Sequence, residues 1–362
     1  MYRAFEARNF RCFEDLKVAP LKRLNLVTGL NNVGKTALLE ALWLHHGYHN
    51  PTLGSTTGSL RGVERVRKDD FLRHLFRGFD LGRRIELVRG ESNDRSRRVI
   101  IKAVPSSTSE VPMETEGDLA AASEERRLVG AAAEDASSAP GWEFLIESFD
   151  EAGRETTARA SFNGKQVTFT RAEGVKEPNA IFLAARAPHR FSTLAERLSN
   201  IAVEKKDEDV IRVLNIIEPN LKNLTVQQRA GAPMIFGDLG AEELVPLPFM
   251  GDGVGRVLNI ALAVPDAENG LVLVDEIENG LHYSVMTDVW RALAELATSY
   301  DCQLFATTHS WECIRGAHEA CCERDEYDFR LHRLEKGEDG IVAVTYDQEM
   351  LDAVVRTDLE AR

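Results

Sequence analysis

Residues 24–36 read Leu24-Asn25-Leu26-Val27-Thr28-Gly29-Leu30-Asn31-Asn32-Val33-Gly34-Lys35-Thr36. The last eight satisfy G-x-x-x-x-G-K-[ST] at every required position. The residues before them read as a buried strand, and residues 37–44 after them read as a helix. Strand, glycine-rich loop and helix in that order form a phosphate cradle. Backbone N–H groups of Asn31, Asn32, Val33, Gly34 and Ala37 would face the phosphates at a helix N-terminus. Lys35 would reach the β/γ-phosphates, and the Thr36 hydroxyl would ligate Mg²⁺. The stretch calls for a nucleoside polyphosphate with Mg²⁺.

Two further strands carry chemistry at their carboxyl ends. Leu271-Val272-Leu273-Val274 runs into Asp275 and Glu276. An aspartate there can hold Mg²⁺ through water, and the next glutamate can polarise an attacking water as general base. Gln303-Leu304-Phe305-Ala306-Thr307-Thr308 runs into His309 and Ser310. A histidine so placed could sense the γ-phosphate. Phe249-Met250-Gly251-Asp252-Gly253 then leads into an apolar helix through Arg256. Its start is either an ordinary helix N-terminus capped by Asp252 or a second phosphate-ready site. The cradle already holds phosphates in cis, so a second such terminus points to nucleotide held by another copy.

The chain has 362 residues, enough for one large domain or two modest ones, and 43% hydrophobic residues, enough for a sizeable core. The formal net charge of −14 argues against a surface coated for nucleic acid. A local excess remains in residues 61–102, where thirteen Lys/Arg face seven Asp/Glu. Arg65, Arg67, Lys68, Arg73, Arg77, Arg83 and Arg84 form either a phosphate-binding face or a solvated, salt-bridged surface. The five cysteines are odd in number and form no C-x-x-C pair, which fits a reducing cytoplasm rather than a disulfide framework. The N-terminus lacks the apolar run of a signal peptide, and no apolar stretch reaches membrane-spanning length, so no membrane partner is expected.

Along the chain, residues 1–30 read as two or three short strands and residues 69–79 as a helix. Residues 83–88, 98–104, 142–148 and 166–171 alternate as strands of an antiparallel sheet. Residues 105–140 are rich in Ser, Ala and Glu and read as a flexible insertion. Residues 180–185 form a buried strand. Residues 193–224 read as helical, ended near Pro219. Residues 329–334 and 341–346 read as a hairpin before a last helix.

Taken jointly and in order, these motifs resemble ABC-type ATPases of the RecF/SMC group, and most of all the overcoming-lysogenization-defect (OLD) family and related stand-alone ATP-binding proteins of prokaryotic defence loci. The opening Asn9-Phe10-Arg11-Cys12-Phe13 looks like that family's start. Gly251-Asp252-Gly253 with Arg256 looks like its signature motif. Residues 275–282 look like its second nucleotide motif and D-loop, and residues 307–310 like its switch. The resemblance implies an α/β P-loop NTPase of ABC/SMC-head type: a mixed central sheet, an antiparallel β subdomain and a helical subdomain. The whole chain, 1–362, would be one ATPase head. Residues 1–104 and 141–188 would form the lobe with the phosphate loop, 105–140 the insertion, 189–245 the helical subdomain, and 246–362 the lobe with signature, acids and switch.

The same resemblance assigns Glu276, Lys35 and His309 as catalytic, Thr36 and Asp275 to metal, and Gly251–Gly253 to nucleotide in trans. Arg11 would approach the nucleotide. It implies ATP as the nucleotide, a homodimer or higher homo-oligomer closed by ATP, a separate effector of Toprim-like, HNH or other nuclease or toxin type, and DNA as a further partner. An ATP-dependent DNA-binding clamp is the alternative. The sequence departs from the family pattern in two ways. Gly251 stands where transporter-type signatures carry Ser, and Gln166, Gln227 and Gln228 are poorly placed for a Q-loop. About fifty residues follow His309, without the acidic cluster of a Toprim domain, so no nuclease activity is expected in this chain alone.

Overall fold

The computed structural model describes residues 1–61, 72–90, 96–105, 142–162, 167–175, 179–185, 191–229, 231–338 and 340–357. Its centre is a six-stranded sheet in the order β16-β15-β3-β14-β13-β9. β3 (Leu24–Gly29), β9 (Ala180–Leu183), β13 (Leu271–Val274), β14 (Gln303–Thr307) and β15 (Phe329–Gly337) run parallel. β16 (Gly340–Tyr346) closes the edge antiparallel to β15. Every residue of β3, β13 and β14 is buried. That explains the unbroken apolar run of β13 and the apolar centres of β3 and β14, because a parallel strand covered on both faces has no solvent side to leave polar.

One face of this sheet is covered by helices. These are α3 (Phe191–Val203), α4 (Asp207–Leu214), α5 (Asp252–Asp266), α6 (Met286–Ser299) and α7 (Trp311–Cys322), around a core that includes Trp290 and Leu293. The other face meets α1 (Lys35–His46), which in turn packs beneath a seven-stranded antiparallel sheet. That sheet has the order β2-β1-β4-β5-β6-β7-β8. It is built from β1 (Ala4–Phe10), β2 (Phe13–Val18), β4 (Ile85–Gly90), β5 (Ser96–Pro105), β6 (Trp142–Phe149), β7 (Glu155–Phe162) and β8 (Val167–Thr170). α1 is therefore sandwiched, with ten of its twelve residues buried. A short helix, α2 (Leu53–Leu60), follows it.

Three expectations are corrected. The helical reading of residues 193–224 stops at Leu214; turns follow, and residues from Asn223 onward form a strand. The 189–245 segment is therefore not purely helical. It carries a three-stranded sheet of β10 (Asn223–Arg229), β11 (Ala232–Asp238) and β12 (Val245–Pro246). β10 is polar and partly exposed, and Pro233 and Gly237 interrupt the apolar run of β11, so neither shows a clean alternation. Within 69–79, the described part forms two short 3-10 turns, Arg73–Leu75 and Arg77–Phe79, with Leu72 and Gly78 at positive φ interrupting any α-helix. The insertion at 105–140 lies outside the described residues apart from Pro105, which ends β5. The last helix is α8 (Gln348–Arg356), capped by Asp347.

Two histidines in the interior tie stability to pH. His45, on α1, places Nδ1 2.7 Å from the Tyr2 hydroxyl and Nε2 3.1 Å from the Arg97 carbonyl. Burial pushes its pKa down from 6.5 to about 3, and burial does the same to His332. In the unfolded chain both titrate near 6.5, so below that pH the unfolded state binds protons that the folded state refuses. Stability is full above about pH 6.5 and falls as the pH drops toward 3. Thermal midpoints should be flat from neutral to mildly alkaline pH and decline steadily below about pH 6.5. A flat profile down to pH 4 would show that the two rings are not held neutral.

Candidate nucleotide site

The carboxyl ends of β3, β14 and β13 lie side by side, since each strand pairs in parallel with the next. In an open parallel sheet that edge is where ligands bind. The phosphate loop leaves β3 there, and Gly34 caps α1 with φ 95°. A side chain at Gly34 would be doubly excluded. The conformation disfavours one, and a Cβ would sit 2.6 Å from the Cys12 Sγ and 2.8 Å from the Phe13 ring. The tip of the β1–β2 hairpin thus presses on the loop from the antiparallel sheet. Asn31 and Asn32 are exposed on the rim, whereas Val33 and Ala37 are buried.

Lys35 is 7% exposed, and its ammonium donates to the Gly29 and Leu30 carbonyls at 2.8 and 2.9 Å. Burial holds its pKa below the ordinary lysine value, opposed by the nearby carboxylates of Asp275, Glu276 and Glu278. The Thr36 hydroxyl donates to the Asp275 carboxylate, 3.1 Å from both oxygens. Thr307, at the end of β14, donates to Asp275 Oδ1 at 2.7 Å and accepts the Glu276 backbone N–H at 2.8 Å. Asp275 therefore ties the ends of β13 and β14 to the start of α1 behind the phosphate loop. A hydroxyl and a carboxylate oxygen in contact form a hard-oxygen donor pair that fits Mg²⁺.

Glu276 occupies the left-handed region, φ 49°, which a non-glycine residue rarely adopts outside sites that need it. Its carboxylate accepts from the Asn279 amide at 2.8 Å. The backbone N–H of His309 donates to Glu278 Oε1 at 2.7 Å, joining the segment after β14 to the turn after the acids. Arg256, 5% exposed, reaches back from α5 and donates through Nη2 to the Asp275 and Glu276 carbonyls at 2.6 and 3.0 Å. α5 begins at Asp252 with Gly251 as its cap, so the capping role expected for Asp252 belongs to Gly251. Gly253 lies against the turn at Gly280 of its own chain: a Cβ there would stand 2.7 Å from the Gly280 carbonyl. Gly251 and Asp252 are exposed, beside Phe249, which is 80% exposed.

Arg11 sits at the hairpin tip with φ 48°. Its guanidinium pairs with Glu40 at 2.9 Å and donates to Thr57 at 3.3 Å. Burial pushes its pKa down to about 10, with Glu40 opposing. Glu40 is fully buried one turn beyond Thr36 and also accepts a two-pronged bond from Arg61, at 2.8 and 2.9 Å. Glu40, Arg61 and Thr307 were not singled out as site residues by sequence reasoning. Glu40 carried a signal, being an acid inside an otherwise apolar helix stretch. Part of the basic stretch 61–102 is ion-paired among the described residues. Arg77 pairs with Glu14, Arg83 with Asp80 and Arg98 with Glu86, while Arg73 donates to the Phe79 carbonyl. Arg65, Arg67 and Lys68 lie outside the described residues.

Residues 24–312 match the family described as "AAA domain, putative AbiEii toxin, Type IV TA system". The chain belongs to that family. A curated relative, an "ATP/GTP phosphatase" of Helicobacter pylori, is 23% identical, and the match covers 97% of each chain. Among solved structures, the chain resembles an SmcHead bound to the C-winged helix domain of ScpA. They are 12% identical, the match covers 96% of this chain and 98% of that one, and the TM-score is 0.49. It also resembles the SMC head domain from Thermotoga maritima, at 12% identity, 96% and 99% coverage and a TM-score of 0.44. The loop, the acids and the segment after β14 stand at the ends of adjacent parallel strands beneath an antiparallel lobe, an α/β P-loop fold. Among the described residues, no helix is long and apolar enough to cross a membrane.

Replacing Glu40 by Ala would strand the Arg11 guanidinium, which is 13% exposed, beside an exposed Arg61. Removing one partner of a buried ion pair costs about 3–5 kcal/mol. Urea unfolding of the Glu40→Ala protein should show a loss of that order, larger than for Glu14→Ala, whose pair with Arg77 is half exposed. Equal losses for both variants would mean that Glu40 is not the anchor of a buried charge cluster.

Proposed function

We propose that the protein is an ATPase that closes as a dimer on ATP and thereby controls a separate effector. The observation that carries the reading is the Thr36–Asp275–Thr307 cluster beside Lys35. The loop hydroxyl and the acid of a distant strand already touch at the mouth of a phosphate cradle. The name of the Helicobacter pylori relative supports nucleotide hydrolysis.

Each residue has a distinct task in this reading. The loop amides from Asn31 to Ala37 and the Lys35 ammonium neutralise phosphate charge. On nucleotide binding, Lys35 exchanges its two carbonyl partners for phosphate oxygens. Thr36 and Asp275 hold Mg²⁺, which supplies charge neutralisation of the phosphates when bound. Glu276 accepts the proton of the attacking water, its carboxylate aimed by Asn279. His309 lies on the switch segment tied to Glu278 and responds to the γ-phosphate. The Gly251-Asp252-Gly253 turn, exposed at Gly251 and Asp252, meets nucleotide held by a second copy. Arg11 lies one residue from Cys12, whose sulfur touches the loop, and can exchange Glu40 for phosphate.

The effector half of the reading draws on the family description, which names a toxin–antitoxin context. A nuclease or toxin encoded separately, acting in antiphage defence or DNA maintenance in the cytoplasm, fits that context. The pairing of Arg77, Arg83 and Arg98 with carboxylates lowers the free positive charge that the DNA-clamp alternative would draw on.

Lys35→Ala should abolish binding of a fluorescent ATP analogue, and Glu276→Gln should keep binding while lowering turnover by about 100-fold or more. Sedimentation of the Glu276→Gln protein with ATP and Mg²⁺ should show a dimer that is absent without nucleotide. Unchanged turnover in that variant removes Glu276 from its role. A monomer at saturating ATP removes the shared site. The locked variant, used as bait in its native host, should retain a separate protein. Salt-sensitive, ATP-dependent DNA binding by the isolated chain would favour the clamp instead.

A further inference from the structure

Helix α7 ends in the sequence His318-Glu319-Ala320-Cys321-Cys322, and helix α8 lies against that end. His318 and Cys322 are one helical turn apart and so share a face. Asp352 of α8 faces them, with its Oδ1 3.0 Å from His318 Nε2. The Cys322 sulfur is 3.7 Å from the same nitrogen. A ligand atom from each of the three residues lies within 4.8 Å of the others. None of these groups takes part in the nucleotide site.

We infer that His318, Cys322 and Asp352 form a zinc-type metal site that staples the C-terminal helix to α7. A tetrahedral ion with bonds of about 2.0–2.3 Å spaces its ligand atoms roughly 3.3–3.7 Å apart, so the observed spacings need only small adjustments. The other ring nitrogen of His318 is 2.8 Å from the Tyr327 hydroxyl. That is the outer hydrogen bond that orients a ligating histidine and leaves Nε2 for the metal. His318 is 3% exposed and has no freedom to turn away, while Cys322 is exposed and gives an ion a way in. One nitrogen, one thiolate and one carboxylate suit a borderline ion such as Zn²⁺, whereas Mg²⁺ takes all-oxygen sets. On binding, the thiol proton of Cys322 leaves to solvent. The ring proton resides on Nδ1 and is donated to the Tyr327 oxygen. Three protein ligands leave a fourth position for water.

The ion would fasten the chain's last described helix to the helix that opens directly after His309. α7 is capped by Ser310, whose hydroxyl accepts the Cys313 N–H at 3.0 Å. The staple therefore lies at the far end of a rigid rod that starts at the switch.

The test uses Co²⁺ as a spectroscopic stand-in for Zn²⁺, added to the full-length protein in excess Mg²⁺. The expected result is one equivalent bound, with a thiolate-to-cobalt charge-transfer band that Zn²⁺ abolishes. Cys322→Ser should lose the band and Asp352→Asn should weaken binding by at least tenfold. Both variants should keep the wild-type ATPase rate and circular dichroism spectrum. Zn²⁺ should raise the thermal midpoint of the wild type and not that of Cys322→Ser. Absence of stoichiometric binding overturns the assignment. So does a charge-transfer band that persists in Cys322→Ser, which would place the ion on another cysteine. Loss of ATPase activity in Lys35→Ala with the cobalt band intact would separate this site from the nucleotide site.

Discussion

The carboxylate of Asp275 is the point on which the nucleotide edge depends. It accepts from Thr36 at the start of α1 and from Thr307 at the end of β14, and it stands itself at the end of β13. Three separate pieces of chain are thereby held in register by one side chain. The same aspartate and its neighbour offer their backbone carbonyls to Arg256, which brings in a fourth piece, the helix behind the exposed glycine turn. A charge buried to this degree is stable because its oxygens are satisfied by hydroxyls and a lysine lies close by. Without those partners it would be expelled or neutralised.

A second buried cluster supports the first from behind. Glu40 takes charge from Arg11 on the hairpin tip and from Arg61 beyond α2. Arg11 thus ties the antiparallel lobe to the phosphate-loop helix while its neighbours Cys12 and Phe13 press on Gly34. The antiparallel sheet is therefore part of the nucleotide machinery in a mechanical sense. It fixes both the path of the loop and the charge of the helix that the loop caps.

Much of this was legible in the sequence because parallel strands covered on both faces leave apolar runs. Leu271–Val274 and Gln303–Thr307 announce themselves, and the chemistry at their ends follows from position. The loop at Gly29–Thr36 is legible because only glycine fits at Gly34. The small sheet of β10 to β12 was not, since Thr225, Gln227 and Gln228 blur the alternation of β10 and Pro233 and Gly237 break the run of β11. The Glu40 cluster was hidden for another reason. A pairing between residues 11, 40 and 61 is set by tertiary structure, and no local period records it. Thr307 was visible as a strand terminus, but its hydroxyl bridge to Asp275 and Glu276 depends on which strands lie adjacent.

The enclosure of α1 on almost every face has a mechanical corollary. A close-packed interior transmits displacement instead of absorbing it. Ten buried positions in twelve leave the helix no lubricated side on which to rotate or creep. A push at its amino end therefore travels undiminished into both slabs that grip it. Whatever the nucleotide commands, the molecule must answer by tilting whole layers, much as a wedge driven between two boards moves the boards.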